Sequence, residues 1–163
     1  MIERLWNGDE AWAAERSEVV FALEPGGLSV EITAKFHHDQ APAMAPGRTD
    51  RLWEYEVVEL FLANKAGHYL ELEFSPHGHY LALQFSGVRQ AQRTDIPVAF
   101  QAEILGDAWR GAARVEASCL PANLSLANAY AIHGQGQGRR HMAAYAVPGP
   151  RPDFHQPQFF QPW

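Results

Sequence analysis

The chain has 163 residues, 13 Lys and Arg against 19 Asp and Glu for a formal net charge of -6, and a composition that is 47% hydrophobic and 12% aromatic. This is one domain's worth of chain, residues 1–163, with enough apolar material to build a core, which excludes disorder for most of it. The acid excess and the lack of any Lys/Arg cluster argue against a nucleic-acid partner, and no stretch approaches the roughly 20 apolar residues of a membrane span.

The opening MIERLWNGDEAWAAERSEV lacks the basic start and apolar run of a signal peptide. A cytoplasmic location is expected. Glu10 to Arg16 has room for one or two helical turns at most. Ser17 to Glu24 carries Val19, Phe21 and Leu23 at a period of two, and Leu28 to Phe36 alternates apolar and polar residues without a miss. Pro25-Gly26-Gly27 lies between them, so the pair reads as a β-hairpin. His37 to Asp50, with two prolines and a glycine, reads as a long surface loop.

Glu54 to Ala63, EYEVVELFLA, is apolar on both faces: Val58, Leu60 and Leu62 point one way, Val57 and Phe61 the other. Tyr69 to Ser75 and Tyr80 to Phe85 alternate again around the turn Ser75-Pro76-His77-Gly78, giving a second hairpin. The expected inward set is Val30, Ile32, Phe36, Val58, Leu60, Leu72, Phe74, Leu81, Leu83 and Phe85, with Glu71 and Glu73 on a plain solvent face. Further short strands are expected at Val98 to Leu105, Trp109 to Ser118, Asn128 to Gly134 and His141 to Val147. Leu120 to Ala127 is too poor in helix formers to organise a fold. Gly149 to Trp163 reads as an extended tail whose four prolines and four aromatics pack onto the body. The fold class is therefore all-β, a two-sheet antiparallel β-sandwich of jelly-roll or immunoglobulin-like topology with little helix.

Glu59 is the residue that stands out chemically. A carboxylate inside a strand that is apolar on both faces needs a cation, hydrogen-bond donors or a proton. Two readings stay open: a ligand-facing acceptor, or a buried ion pair with Arg51, Arg89 or Arg139. Glu59 beside Glu71 or Glu73 would imitate a glycosidase acid/base pair if the carboxyls lay about 5 to 9 Å apart. The histidine pairs His37-His38 and His77/His79 lack the spacing of a closed metal site, and no Cys-x-x-Cys-His haem attachment accompanies Met44 or Met142. No cofactor and no metal are expected. Cys119, the only cysteine, suits a small buried apolar position, and Gly134 to Gly138 suits a turn rather than a phosphate loop. Of the tryptophans, Trp109 at a strand start reads as core and Trp53, just before the strand of Glu59, as the better candidate for stacking on a ligand.

The run LWEYEVVELFLA (Leu52 to Ala63), then HYLELEFSPHGHYLALQF (His68 to Phe85), Trp109 leading a strand to Leu120-Pro121, and PDFHQPQFF (Pro152 to Phe160) together resemble the DOMON-like domains related to family 9 carbohydrate-binding modules. The resemblance implies an antiparallel β-sandwich whose relatives bind a sugar or, in some branches, haem. It places Trp53 at the stacking aromatic and Glu59 at the carboxylate that accepts from sugar hydroxyls. Sugar-binding members carry Arg and Asn where this chain has Glu73 and Ser75, and a second Trp where it offers Phe154, Phe159, Phe160 and Trp163. The expected function is a non-catalytic domain that binds a small carbohydrate or polyol through Trp53, Glu59, Glu73 and Arg139. The alternatives are an enzyme using Glu59 with Glu71 or Glu73, and a haem-binding or structural domain.

Overall fold

The computed structural model describes residues 1–163 and contains no α-helix, only short 3-10 turns between strands. In chain order the strands are β1 (Arg4–Leu5), β2 (Ser17–Glu24), β3 (Gly27–Lys35), β4 (Val57–Asn64), β5 (Tyr69–Phe74), β6 (Tyr80–Phe85), β7 (Ala91–Arg93), β8 (Ala99–Leu105), β9 (Ala108–Glu116), β10 (Leu124–His133), β11 (Arg140–Ala143) and β12 (Gln161–Pro162). They form two antiparallel sheets. The larger runs β1-β11-β10-β4-β5-β6-β7 with β12 also on β10, and the smaller runs β2-β3-β9-β8.

The first hairpin forms as its alternation requires. Gly27 closes it at φ 138°, and a Cβ there would lie 2.0 Å from the Val115 carbonyl oxygen, so the close approach of β9 demands glycine. Leu28, Val30 and Ile32 from β3, with Trp109 and Val115 from β9, meet Val58, Leu60, Leu62, Leu70, Leu72 and Phe74 of the larger sheet in the inter-sheet core. Trp109 and Cys119 are therefore core residues.

The larger sheet is buried on its outer face as well. Val57, Phe61 and Ala63 of β4, Tyr69 of β5, Leu81 and Phe85 of β6, and Tyr130 and Ile132 of β10 form a second apolar cluster there, roofed by Phe154 and Phe160 from the C-terminal tail. The Phe154 ring stacks on Tyr130 at 3.8 Å and 7°, and the Phe160 ring meets Phe61 edge-on at 5.8 Å. The tail is thus a packed element; Trp163 remains half exposed, its ring edge-on to Phe21.

Two expectations fail on this face. Leu81, Leu83 and Phe85 do not point into the inter-sheet core. The connection Ser75 to His79 pairs Phe74 with Tyr80 and Glu73 with Leu81, and cross-strand partners share a face, so the odd-numbered residues of both strands point outward. Nor are Glu71 and Glu73 on a solvent face, because the tail and the flanking loops cover that side of the sheet.

Candidate functional site

The register of β4 and β5 puts Glu59 opposite Glu73 and Phe61 opposite Glu71. Side chains two apart on a strand point the same way, so Glu59, Glu71 and Glu73 share the outer face. Trp53 and the segment Pro152 to His155 are among the residues that bound, over this face, a cleft of about 460 Å³. That is the lower half of the roughly 300–1,000 Å³ range of small-ligand pockets. Glu59, Phe61, Glu71, Phe85 and Phe154 line it, as do the more exposed Arg89 and Asp153.

Trp53 sits in a 3-10 turn, Leu52–Glu54, that Arg51 enters with a left-handed backbone at φ 58°. Arg139 fixes this turn: its guanidinium donates to the carbonyl oxygens of Trp53, Tyr55 and Gly134. The indole is 41% exposed, while Glu59, Glu71 and Glu73 are 2%, 4% and 0% exposed.

None of the three carboxyls has an arginine partner. Oε2 of Glu71 and both side-chain oxygens of Glu73 are buried with no hydrogen bond, as is the hydroxyl of Tyr130. Burial, then the charge of Glu71, pushes Glu59 well above the ordinary carboxylate range. Burial pushes Glu71 up to about 8, and burial with the charges of Glu59 and Glu71 raises Glu73 well above its usual value. The nearby cations are engaged elsewhere. Arg89 holds Asp153 at 2.8 Å, and Arg139 spends its N–H groups on carbonyls. His155 Nε2 is 3.8 Å from Glu71 Oε2, but burial holds its pKa down to about 4, so the ring is neutral at pH 7. Its Nδ1 lies 2.8 Å from the hydroxyl of Tyr69, which also accepts from the backbone N–H of Arg89 at 3.0 Å.

Of the four expected site residues, Trp53 and Glu59 line the cleft together. Arg139 lies beside Trp53 in an adjoining depression and acts on the turn rather than across the cleft. Glu73 is on the same face but fully buried and does not line the cleft. The reading of Glu59 as one half of an ion pair fails, since Arg51 pairs with Glu54, Arg89 with Asp153, and Arg139 with backbone oxygens. Sequence reasoning missed Asp153 and His155 as lining residues, although both sit inside the PDFHQPQFF run. No group of three or more His, Cys, Asp and Glu side chains is arranged to hold a metal ion. Met44 is exposed and Met142 is in the inter-sheet core, so neither reaches the cleft.

No protein-family model matches the chain. In structure it is similar to a candidate carbohydrate-binding protein from Bacteroides uniformis, with a TM-score of 0.71 at 20% identity over 98% of this chain and 84% of that one. It is also similar to a family 9 carbohydrate-binding module from Caldicellulosiruptor kristjanssonii in complex with cellotriose, with a TM-score of 0.51 at 14% identity over 88% and 71% of the two chains. These likenesses show the fold. In sequence the chain is 35% identical to the UPF0462 protein C4orf33 homolog of Mus musculus over 99% of its own length and 88% of the relative's. It is 38% identical to that of Danio rerio over 90% and 80%. At this identity and coverage, the chain belongs to the UPF0462 family.

Proposed function

We propose that the protein binds a small carbohydrate or related polyol in the cleft between Trp53 and the C-terminal tail, without converting it. The observation that carries this reading is the half-exposed indole of Trp53 on the same cleft as the buried, unpaired carboxyls of Glu59 and Glu71. An indole face stacks on the C–H face of a sugar ring, and carboxyls exchange hydrogen bonds with hydroxyls. The likeness to carbohydrate-binding modules in fold supports the same class of ligand.

One stacking contact at ~1 kcal/mol and two or three hydrogen bonds to protonated carboxyls at about 0.5–1.5 kcal/mol each must offset the cost of association. Only a weak affinity is left, with a Kd on the order of 10 mM or weaker for a neutral sugar. Calorimetric titration of a panel of mono- and disaccharides against the wild type and Trp53→Ala tests this. At least one sugar binds the wild type and loses at least fivefold in the variant; an affinity unchanged by Trp53→Ala removes the stacking role.

The acid/base reading is less well supported. A glycosidase pair needs one carboxyl protonated and the other ionised or able to attack. Here burial raises Glu71 to about 8, and burial together with the charge of Glu71 raises Glu59 well above the ordinary carboxylate range, so neither is held ready in the ionised role. No turnover of a chromogenic glycoside between pH 5 and 8 is expected.

A further inference from the structure

We propose that the ligand of this cleft carries a protonated amine, and that the carbohydrate it takes is an amino sugar held by its ammonium group between Glu59 and Glu71. The proposal rests on the carbohydrate-binding reading and narrows it.

The cleft has a charge imbalance that the protein does not correct. Besides Asp153, which Arg89 pairs, two carboxyls line it, Glu59 and Glu71, and a further one, Glu73, adjoins them on the same sheet face. No positive group makes an ion pair with these three carboxyls. Arg89 is neutralised by Asp153, and Arg139, which keeps its charge, lies in an adjoining depression and directs three hydrogen bonds to the carbonyls of Trp53, Tyr55 and Gly134. His155 and His141 are both held in their neutral forms, mainly by burial. Tyr69 and Tyr130 bring hydroxyls and no charge. A buried Glu71 oxygen without any partner is left on a cleft wall.

Buried carboxyls are tolerated when protonated or when a cation joins them. In the free protein the proton serves. A bound ammonium would replace it, donating hydrogen bonds to the unpartnered oxygen of Glu71 and to the carboxyl of Glu59. The remaining walls suit the same guest. Trp53, Phe61, Phe85 and Phe154 line the cleft, and an aromatic enclosure with adjacent carboxylates is a favourable setting for an organic cation. A neutral sugar has no counter-charge to offer and would leave the carboxyls as protonated as it found them.

The replacement has a balance that can be measured. Near neutral pH each carboxyl that ionises on binding releases its proton to the buffer, while the ammonium keeps its own. D-glucosamine, D-glucose, N-acetyl-D-glucosamine and putrescine are titrated calorimetrically into the full chain at pH 6.5, in two buffers of different ionisation enthalpy. Glucosamine is expected to bind at least tenfold more tightly than glucose or the acetylated sugar, with proton release seen as a buffer-dependent heat. In Glu59→Gln and Glu71→Gln, two variants that remove no ion pair, that preference falls to less than threefold. Equal binding of glucose and glucosamine, or glucosamine binding without proton release, overturns the amine assignment and leaves the carbohydrate reading standing. Putrescine binding with proton release while no sugar binds keeps the amine assignment and removes the carbohydrate. Heat from none of the four overturns both.

Discussion

Replacing Glu71 by Gln should stabilise the protein, and by an amount that depends on pH. The unpaired carboxyl is raised from 4.5 to about 8 in the fold, chiefly by burial. The folded state therefore holds this proton more tightly than the unfolded chain does. Stability is greatest at and below the unfolded value, falls as pH rises from 4.5 toward 8, and is level above that. Each pH unit in the window costs about 1.4 kcal/mol, so at pH 8 the burden of this one group approaches 5 kcal/mol. An amide carries no charge to desolvate, but its N–H groups meet the same shortage of partners, which costs about 1–3 kcal/mol. The net gain at pH 8 is then ~2–4 kcal/mol, or roughly 5–15 °C in Tm for a domain of this size. Denaturant melts of the two proteins at pH 4.5, 6.5 and 8 check it: the difference should be near zero or slightly unfavourable at pH 4.5 and grow with pH. A variant less stable than the wild type at pH 8 would mean that Glu71 is ionised and paired in the fold, contrary to its surroundings in the cleft.

Trp53→Ala should leave the melt within about 1 kcal/mol of the wild type, because the half-exposed indole belongs to no buried cluster, while sugar affinity falls. Arg139→Ala should weaken ligand binding without touching the ligand, since it releases the carbonyls of Trp53 and Tyr55, and should cost ~1–3 kcal/mol of stability in the same melts. Leu72→Ala, fully buried between the sheets, should cost about 2–5 kcal/mol by denaturant titration at any pH. Glu15→Gln should cost ~1.5–3 kcal/mol, because Glu15 accepts from Nε and a terminal nitrogen of Arg140 at 2.8 Å each; the loss should be larger at pH 7 than at pH 3, since Glu15 has a lowered pKa in the fold.

The sandwich was legible wherever a strand obeys a period of two. β3 needs no knowledge of its partners to declare a buried face, and β4 declares two, which is why Glu59 could be singled out before any neighbour was known. What lay beyond reach was anything decided by a segment distant in sequence. Glu71 and Glu73 look like residues of an open face because their strand alternates. They are buried by Phe154 and Phe160, some 80 positions further on, and strand periodicity carries no record of that cover. The facing of β6 was lost for a related reason: Tyr80, Ala82 and Gln84 are as acceptable inward as Leu81, Leu83 and Phe85, and only the pairing of Phe74 with Tyr80 decides. Arg139 reads in sequence as an ion-pair partner of Glu59 or a donor to a ligand, whereas in the fold it donates to main-chain oxygens, and a guanidinium leaves the same trace in sequence in each case. The contact of Arg140 with Glu15 spans 125 positions and had no local signal at all.

The tail that roofs the outer face is joined to the body by little backbone pairing, two residues of β12 against Leu126 and Ala127 of β10. Its hold comes mainly from the rings of Phe154 and Phe160. Strand β4 and its neighbours can complete the inter-sheet core without it, since every residue of that core lies outside the tail. Tail docking and sandwich assembly are thus separable equilibria, the first being the weaker. A ligand bound between Trp53 and His155 adds its binding energy to docking alone. Amide exchange across Pro152 to Pro162 should therefore slow on ligand addition, while that of β3 and β9 stays as it was.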